Sequence, residues 1–575
     1  MTCADCAHRI SRALERVDGV TSAQVDYRDG IAQVDVANAV SPDLLIAAVE
    51  RAGYRAELVP AAQAPALPVL PASRHAASRQ VAGPSRQDGD DGAADFDVLI
   101  IGTGGAGVAA AIQSAGMGGK VAIVEAGILG GTCVNVGCIP SKNLIEVAAH
   151  YHAAKQGFQG IAPCLPELDW SSVVEQKDAL VAELRQAKYA DVLASYPGVA
   201  LLSGRAQLTG GGGTAGPIIV RVDNGTTARE HRARKVIIAT GTRPSTPPIP
   251  GLDQIEALNS TTAMELSRLP ASMLVLGGSA VGLELAQTFA RVGVKVTVLE
   301  LAPRILPLED VDISDALIGY LRDEGIEIHT GIETTRVERD GANVAVHVQE
   351  GTLTGTFRAK RLLVATGRQP NTENLGLDAI GVALTERNFV QVDVTMRTTH
   401  PDVYAAGDVT GGPGYVYVAA AGGRVAAENA LKSLASAGTA TDDPTEFDLS
   451  VVPGVTFTSP QVGSVGLTEA RAKALGHHVQ TAVLKMDQVP RALVSHDARG
   501  LVKMVGDAAN GKLLGIHVVA PLAGELMGEA ALALRLGLTA RDLMGTLHPY
   551  LTWSESMKLA AQGFTMDVSK LSCCA

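Results

Sequence analysis

The chain has 575 residues, more than one hydrophobic core usually serves, so several domains are expected. It is 46% hydrophobic and 19% charged, an ordinary globular balance, and its net charge of −12 argues against nucleic acid or an anionic membrane as partner. No apolar run is long enough to span a bilayer, and the N-terminus lacks a basic-then-apolar export pattern, so a cytoplasmic location without membrane insertion is expected.

Residues 1–58 read as a small unit. Ala7–Val17 has helical periodicity, Val20–Tyr27 and Ile31–Val36 alternate as strands around Arg28-Asp29-Gly30, Pro42–Ala52 is a second helix and Tyr54–Leu58 a last strand. Residues 59–94 are rich in Ala, Pro, Ser, Arg and Asp without periodicity and read as a flexible linker. A βαβ unit follows: strand Asp97–Ile101, helix Ala106–Met117, strand Val121–Glu125. A second runs from Met273 to Glu300, which predicts two nucleotide-binding domains. From about Val451 the pattern becomes α+β, with strands at Val502–Val505 and Leu513–Val519 and a helix at Gly524–Leu536.

In the first unit Gly102-x-Gly104-x-x-Gly107 follows a strand and opens a helix. The first glycine makes the tight turn, the second admits a pyrophosphate to the backbone, and the third lets helix and strand pack closely. Glu125 ends the next strand, where an acid binds a ribose hydroxyl. The second unit reads Gly277-x-Ser279-x-x-Gly282 and ends at Glu300. The acid favours NADH, and Arg304 nearby leaves NADPH open as well.

Six of the seven cysteines fall in close pairs: Cys3 with Cys6, Cys133 with Cys138, and Cys573 with Cys574. Close pairs read as redox or metal sites in a reducing compartment, and unpaired Cys164 reads as inert. The run Gly131-Thr132-Cys133-Val134-Asn135-Val136-Gly137-Cys138-Ile139-Pro140-Ser141-Lys142 closely resembles the redox motif of the FAD-dependent pyridine nucleotide–disulfide oxidoreductases. Ala239-Thr240-Gly241, Ala365-Thr366-Gly367 and the stretch from Thr399 to Asp408 resemble further motifs of that family.

The resemblance implies an α/β fold with two Rossmann-like domains, for FAD and NAD(P), and an α+β C-terminal dimerisation domain. It divides the chain into a heavy-metal-associated module (1–58), linker (59–94), FAD-binding part (95–250), NAD(P)-binding domain (251–370), central FAD-binding part (371–446) and dimerisation domain with tail (447–575). FAD is expected at Gly107, Gly127, Thr132, Lys142, Ala206, Asp408 and Val416, with Asp408 on the ribityl chain. Cys138 is expected beside the flavin, Cys133 as the outer sulfur, and Glu284 as partner of Lys142.

Most disulfide reductases of the family carry a C-terminal histidine–glutamate dyad that moves protons near neutral pH. Counting back from Glu555 and matching Thr552 puts Tyr550 at the histidine position. A two-residue slip would use His548 instead, while the plainer reading makes His548 a helix-entry residue. Tyr550 and the ending Leu571-Ser572-Cys573-Cys574-Ala575 resemble the mercuric reductases of the family, and Met1-Thr2-Cys3-Ala4-Asp5-Cys6 resembles heavy-metal-associated domains. Those domains form a ferredoxin-like βαββαβ fold with a strand before the cysteine loop, so this module is expected to lack its first strand.

The resemblance implies a homodimer with shared active sites. In it NADPH or NADH, FAD, Cys133 and Cys138 reduce Hg(II) delivered by low-molecular-weight thiols through Cys573 and Cys574, with Cys3 and Cys6 as a further metal pair. Two other readings stay open: a thiol–disulfide reductase, and a non-catalytic metal-sequestering flavoprotein.

Overall fold

The computed structural model describes residues 94–213, 216–435 and 443–570, and nearer the N-terminus residues 10, 13–14, 17, 19–26, 31–36, 40–51, 54 and 56. Contacts divide the chain into two units, Met1–Arg86 and Gln87–Ala575. In the first, β1 (Val20–Asp26) and β2 (Ile31–Val36) pair antiparallel and α1 (Pro42–Arg51) follows. Ile10 and Leu14, one helical turn apart, are buried with Ala23 and Val49. Tyr54 and Ala56 are not in a strand, unlike the expectation for that segment. Cys3, Cys6, Cys573, Cys574 and nearly all of the linker lie outside the described residues.

The second unit opens with β3 (Phe96–Ile101), α2 (Gly105–Gly116) and β4 (Val121–Glu125), within one residue of the sequence expectation. Then come α3 (Gly131–Val136), α4 (Cys138–Gln156), α5 (Trp170–Arg185), β5 (Val199–Ser203), β6 (Arg205–Gly210), β7 (Ile218–Asp223) and β8 (Ala228–Ile238). β3 lies between β4 and β8, with β5 beyond β4, all parallel. β3 and β4 are continuous apolar runs because helices or strands cover both faces of a parallel sheet. β8 serves two partners: its first half pairs antiparallel with β7, and its second half joins the parallel sheet.

A second parallel sheet is built from β9 (Ser272–Leu276), α6 (Ala280–Arg291), β10 (Lys295–Glu300), α7 (Val311–Asp323) and β11 (Glu327–Thr330). The antiparallel strands β12 (Glu333–Asp340), β13 (Asn343–Glu350) and β14 (Leu353–Ala359) follow, and β15 (Arg361–Val364) completes the parallel order β11-β10-β9-β15. The chain then returns to the first sheet, where β16 (Val403–Ala405) pairs with β8. α8 (Val416–Ala435) crosses α2 so closely that a Cβ on Gly423 would stand 2.2 Å from the Ala106 carbonyl oxygen.

The C-terminal part is an antiparallel sheet of β17 (Gly454–Thr456), β18 (Gln461–Gly466), β19 (Val479–Lys485), β20 (Leu501–Asp507) and β21 (Leu513–Ala520), in the order β17-β18-β21-β20-β19. α9 (Ala523–Arg535), α10 (Ala540–Gly545) and α11 (Glu555–Gln562) follow it. Lys503 of β20 ties this part to the second sheet's domain. Its Nζ donates to Asp310 (2.9 Å), Asp312 (2.8 Å) and Glu469 (2.7 Å). Burial opposes the charge on Lys503, but the three carboxylates outweigh it and hold its pKa up. Among the described residues no helix is long and apolar enough to cross a membrane.

Candidate active site

Gly102 has φ +107°, and a Cβ there would lie 2.4 Å from the Ala239 carbonyl oxygen. A Cβ on Gly107 would lie 1.9 Å from the Gly102 carbonyl oxygen. Both must therefore be glycine. At Gly104 the nearest atom to a Cβ is 3.9 Å away, so the space above the turn is open. α2 starts there with no side-chain cap and no acid in its first turn, whereas α5, α7 and α10 start on Asp169, Asp310 and Thr539 caps. Bare N–H groups beside open space suit a pyrophosphate, and these residues fit FAD.

Glu125 ends β4 with its carboxylate held by the Gly127 N–H (2.7 Å) and the Thr103 hydroxyl. Asp408 accepts from the Thr242 hydroxyl at 3.1 Å, and Thr242 in turn accepts from Arg368 Nε at 2.7 Å. Burial pulls the Arg368 guanidinium below its ordinary pKa, against the pull of Asp408 and Cys138. Ala206 is buried on β6, Gly127 is exposed, Thr132 lies in α3, and Val416 opens α8 beside Gly105. In the second unit Gly277 (φ +108°) and Gly282 repeat the first and third glycines, and exposed Ser279 begins α6 without capping it.

Cys133 lies in α3 and Cys138 opens α4, with Gly137 between them. A Cβ on Gly137 would stand 2.9 Å from the Thr132 carbonyl oxygen, so only glycine permits the fold-back that returns Cys138 to Cys133. The sulfurs are unbridged and hydrogen-bonded to each other. That bond lowers the Cys138 thiol from an ordinary 9.0 to about 7, helped by the charge of Lys142 and opposed by burial. The same bond, burial and the Cys138 charge push the Cys133 thiol up.

Lys142 Nζ donates to Glu284 Oε2 at 2.6 Å and sits 4.5 Å over the Phe457 ring. Glu284, only 7% exposed, also accepts from the Phe457 N–H at 2.8 Å. One carboxylate of α6 therefore joins the dithiol helix to the C-terminal part. Sequence reasoning missed Phe457, Thr242, Arg368 and Tyr189. Burial first, then the charges of Cys133 and Cys138, raise the Tyr189 hydroxyl, which marks it as a neighbour of the dithiol.

Tyr550 is 51% exposed on the turn before α11. His548 does not enter a helix, as the plainer sequence reading had it. Its side chain is 5% exposed, with Nε2 2.7 Å from Glu529 Oε1 and Nδ1 3.0 Å from the Thr546 carbonyl oxygen. Glu555 accepts from the backbone N–H groups of Arg491 (3.2 Å) and Leu551 (3.1 Å). The arrangement provides two nucleotide cradles, a dithiol with one sulfur poised near neutrality, and a fixed cation at the start of its helix.

Such a pairing of cradles with a dithiol defines a pyridine nucleotide-dependent redox protein of the disulfide type. The "Pyridine nucleotide-disulphide oxidoreductase" family matches residues 96–423, its dimerisation domain matches 452–561, and the "Heavy-metal-associated domain" matches 1–55. The chain belongs to the pyridine nucleotide-disulphide oxidoreductase family. It is 41% identical to the mercuric reductase of Shigella flexneri, over 100% of this chain and 98% of that protein. It is 45% identical to the mercuric reductase of Streptomyces lividans, over 84% of this chain and 98% of that one. Among solved structures, the HOCl-induced flavoprotein disulfide reductase RclA of Escherichia coli aligns with TM-score 0.70 at 30% identity, over 81% of this chain and 99% of that one. LpdA of Mycobacterium tuberculosis aligns with TM-score 0.72 at 28% identity, over 81% and 98%.

Proposed function

We propose that the chain is a mercuric reductase, using NADH or NADPH to reduce thiol-bound Hg(II) to volatile Hg(0). The observation that carries this reading is the dithiol, two adjacent sulfurs of which one is ionised near neutral pH beside a lysine locked by a buried carboxylate. Two close thiolates are ligands for a soft divalent ion. The likeness to mercuric reductases across the whole length supports the choice of metal over disulfide.

In this reading Gly102, Gly104, Gly107, Glu125, Gly127, Thr132, Ala206, Asp408 and Val416 hold FAD, and Gly277, Ser279, Gly282 and Glu300 hold the nicotinamide nucleotide. FAD held there would supply the two electrons of the reduction, drawn from the nicotinamide nucleotide. Lys142, oriented by Glu284, keeps a positive charge at the redox centre. Cys573 and Cys574 of the partner subunit take Hg(II) from two carrier thiols, and Cys133 and Cys138 then take it from them. At each exchange one Hg–S bond forms as another breaks, and the incoming thiol's proton passes to the departing thiolate, so the ion is never free. Tyr550 of the partner subunit lines the inner position. The two electrons convert bound Hg(II) to Hg(0), and both cysteines are left as thiolates.

The reading assigns 95–250 and 371–446 to FAD, 251–370 to the nucleotide, 447–575 to the dimer and its tail, and 1–58 with Cys3 and Cys6 to metal delivery across the linker 59–94. The protein is then a cytoplasmic homodimer with shared active sites. Purified enzyme given NADH or NADPH, excess thiol and HgCl₂ should oxidise the nucleotide and release mercury vapour. Oxidation driven by lipoamide or glutathione disulfide, with no vapour, would replace the reading with a disulfide reductase.

A further inference from the structure

We propose that Glu300 makes the second nucleotide site selective for an adenosine with a free 2′-hydroxyl, so that the enzyme takes NADH in preference to NADPH. The inference rests on the reading of this unit as the nicotinamide nucleotide site. It comes from comparing the two cradles of the same chain. The adenosine of FAD never carries a 2′-phosphate, so the Glu125 cradle shows how this protein builds a site for a free ribose.

The Glu300 cradle repeats that construction, with a backbone N–H in place of the hydroxyl. Glu125 Oε1 accepts from the N–H two residues on, at Gly127 (2.7 Å), and Glu300 Oε1 accepts from the N–H two residues on, at Ala302 (2.6 Å). The other oxygen of each reaches back 22 residues to the glycine turn, Glu125 to the Thr103 hydroxyl and Glu300 to the Gly278 N–H at 2.5 Å. A Cβ on Gly278 would lie 3.1 Å from Glu300 Cβ, so the glycine is what admits the carboxylate. Each oxygen keeps a lone pair for a ribose hydroxyl. Glu300 is 9% exposed and pinned at both oxygens, so it cannot swing aside for a phosphate carrying nearly two negative charges.

A 2′-phosphate also needs a cation, usually arginine. The nearest in sequence, Arg304, is turned into its own loop. Its guanidinium donates to the carbonyl oxygens of Pro307 (2.9 Å) and Glu309 (3.3 Å), and its Nε is buried.

Calorimetric titration of the flavin-loaded dimer with NAD⁺ and NADP⁺, which cannot turn over, tests this directly. NAD⁺ should bind about tenfold tighter or more. In Glu300→Gln, which keeps the shape and removes the charge, the contrast should shrink to within about threefold. In Arg304→Ala it should be unchanged. Equal or tighter binding of NADP⁺ to the wild type would overturn the proposal, as would selective loss of NADP⁺ binding in Arg304→Ala. If neither nucleotide bound and neither NADH nor NADPH reduced the flavin, both this inference and the site assignment would fall. Selective NAD⁺ binding without mercury vapour would sink only the proposed substrate.

Discussion

Replacing Cys133 by alanine removes the largest influence on Cys138, the hydrogen bond from its neighbour. Burial raises the Cys138 pKa by more than Lys142 lowers it, so without the bond the midpoint should move up from about 7 to about its ordinary 9.0. Because the thiolate is the nucleophile, alkylation of Cys138 grows as pH rises through that midpoint. At pH 7 the reactive fraction would fall from about one half to about one hundredth, but the more basic thiolate is intrinsically about eightfold more reactive, so the rate falls only about sixfold. The midpoint is therefore the proper readout. It is obtained by iodoacetamide labelling of reduced enzyme between pH 5 and 10, with Cys138 followed by peptide mass mapping. Cys133→Ser restores a donor and should keep the midpoint within about half a unit of the wild type. An alanine variant with an unchanged midpoint, or a wild type titrating near 9, would refute the shared-proton description.

Four further outcomes are expected. Gly107→Ala should lose flavin, read from the visible absorbance of purified protein, and cost about 3 kcal/mol or more because its Cβ meets the Gly102 carbonyl. Gly116→Ala, with nothing within 4 Å, should be neutral or stabilising by up to about 1 kcal/mol. Lys503→Met strands Asp310, which is 3% exposed, and should weaken the C-terminal part by about 3 kcal/mol, read in urea by the fluorescence of buried Trp553. Changing both Cys573 and Cys574 to alanine should remove most turnover of thiol-bound Hg(II) while leaving nucleotide reduction of the flavin intact, read by mercury-vapour release and stopped-flow absorbance.

What the sequence made legible was local. The glycine turns, the strand ends at Glu125 and Glu300, and the helix that opens after Gly104 are written in contiguous residues, and their ends fell within a residue or two. The antiparallel sheet of 333–359 was missed, as was the double service of β8, because which strand pairs with which depends on distant segments. The same holds for side chains at the site. Thr242 meets Asp408 across 166 residues and Arg368 across 126, and the Phe457 backbone reaches Glu284 across 173. No spacing rule signals such pairs. Tyr189 lies on a five-residue π-helical turn, Gln186–Ala190, that no periodicity marks.

The C-terminal turn bears on whether this dithiol handles a metal or a disulfide. Opening a substrate S–S bond leaves a thiolate that needs a proton near neutral pH, work suited to an imidazole oriented by a carboxylate. His548 is not available for it, since both ring nitrogens are engaged and the side chain is buried against Glu529. Glu555 is committed elsewhere: each oxygen already accepts a backbone N–H, and the Leu551 bond holds a left-handed residue (φ +59°) that shapes the turn carrying Tyr550. An imidazole introduced by Tyr550→His would have to share a carboxylate that the turn itself requires. Glutathione disulfide reduction should therefore rise by less than about tenfold in that variant, while mercury reduction falls. A gain of about a thousandfold or more would show that Glu555 can serve both duties, and the turn would no longer distinguish the two chemistries.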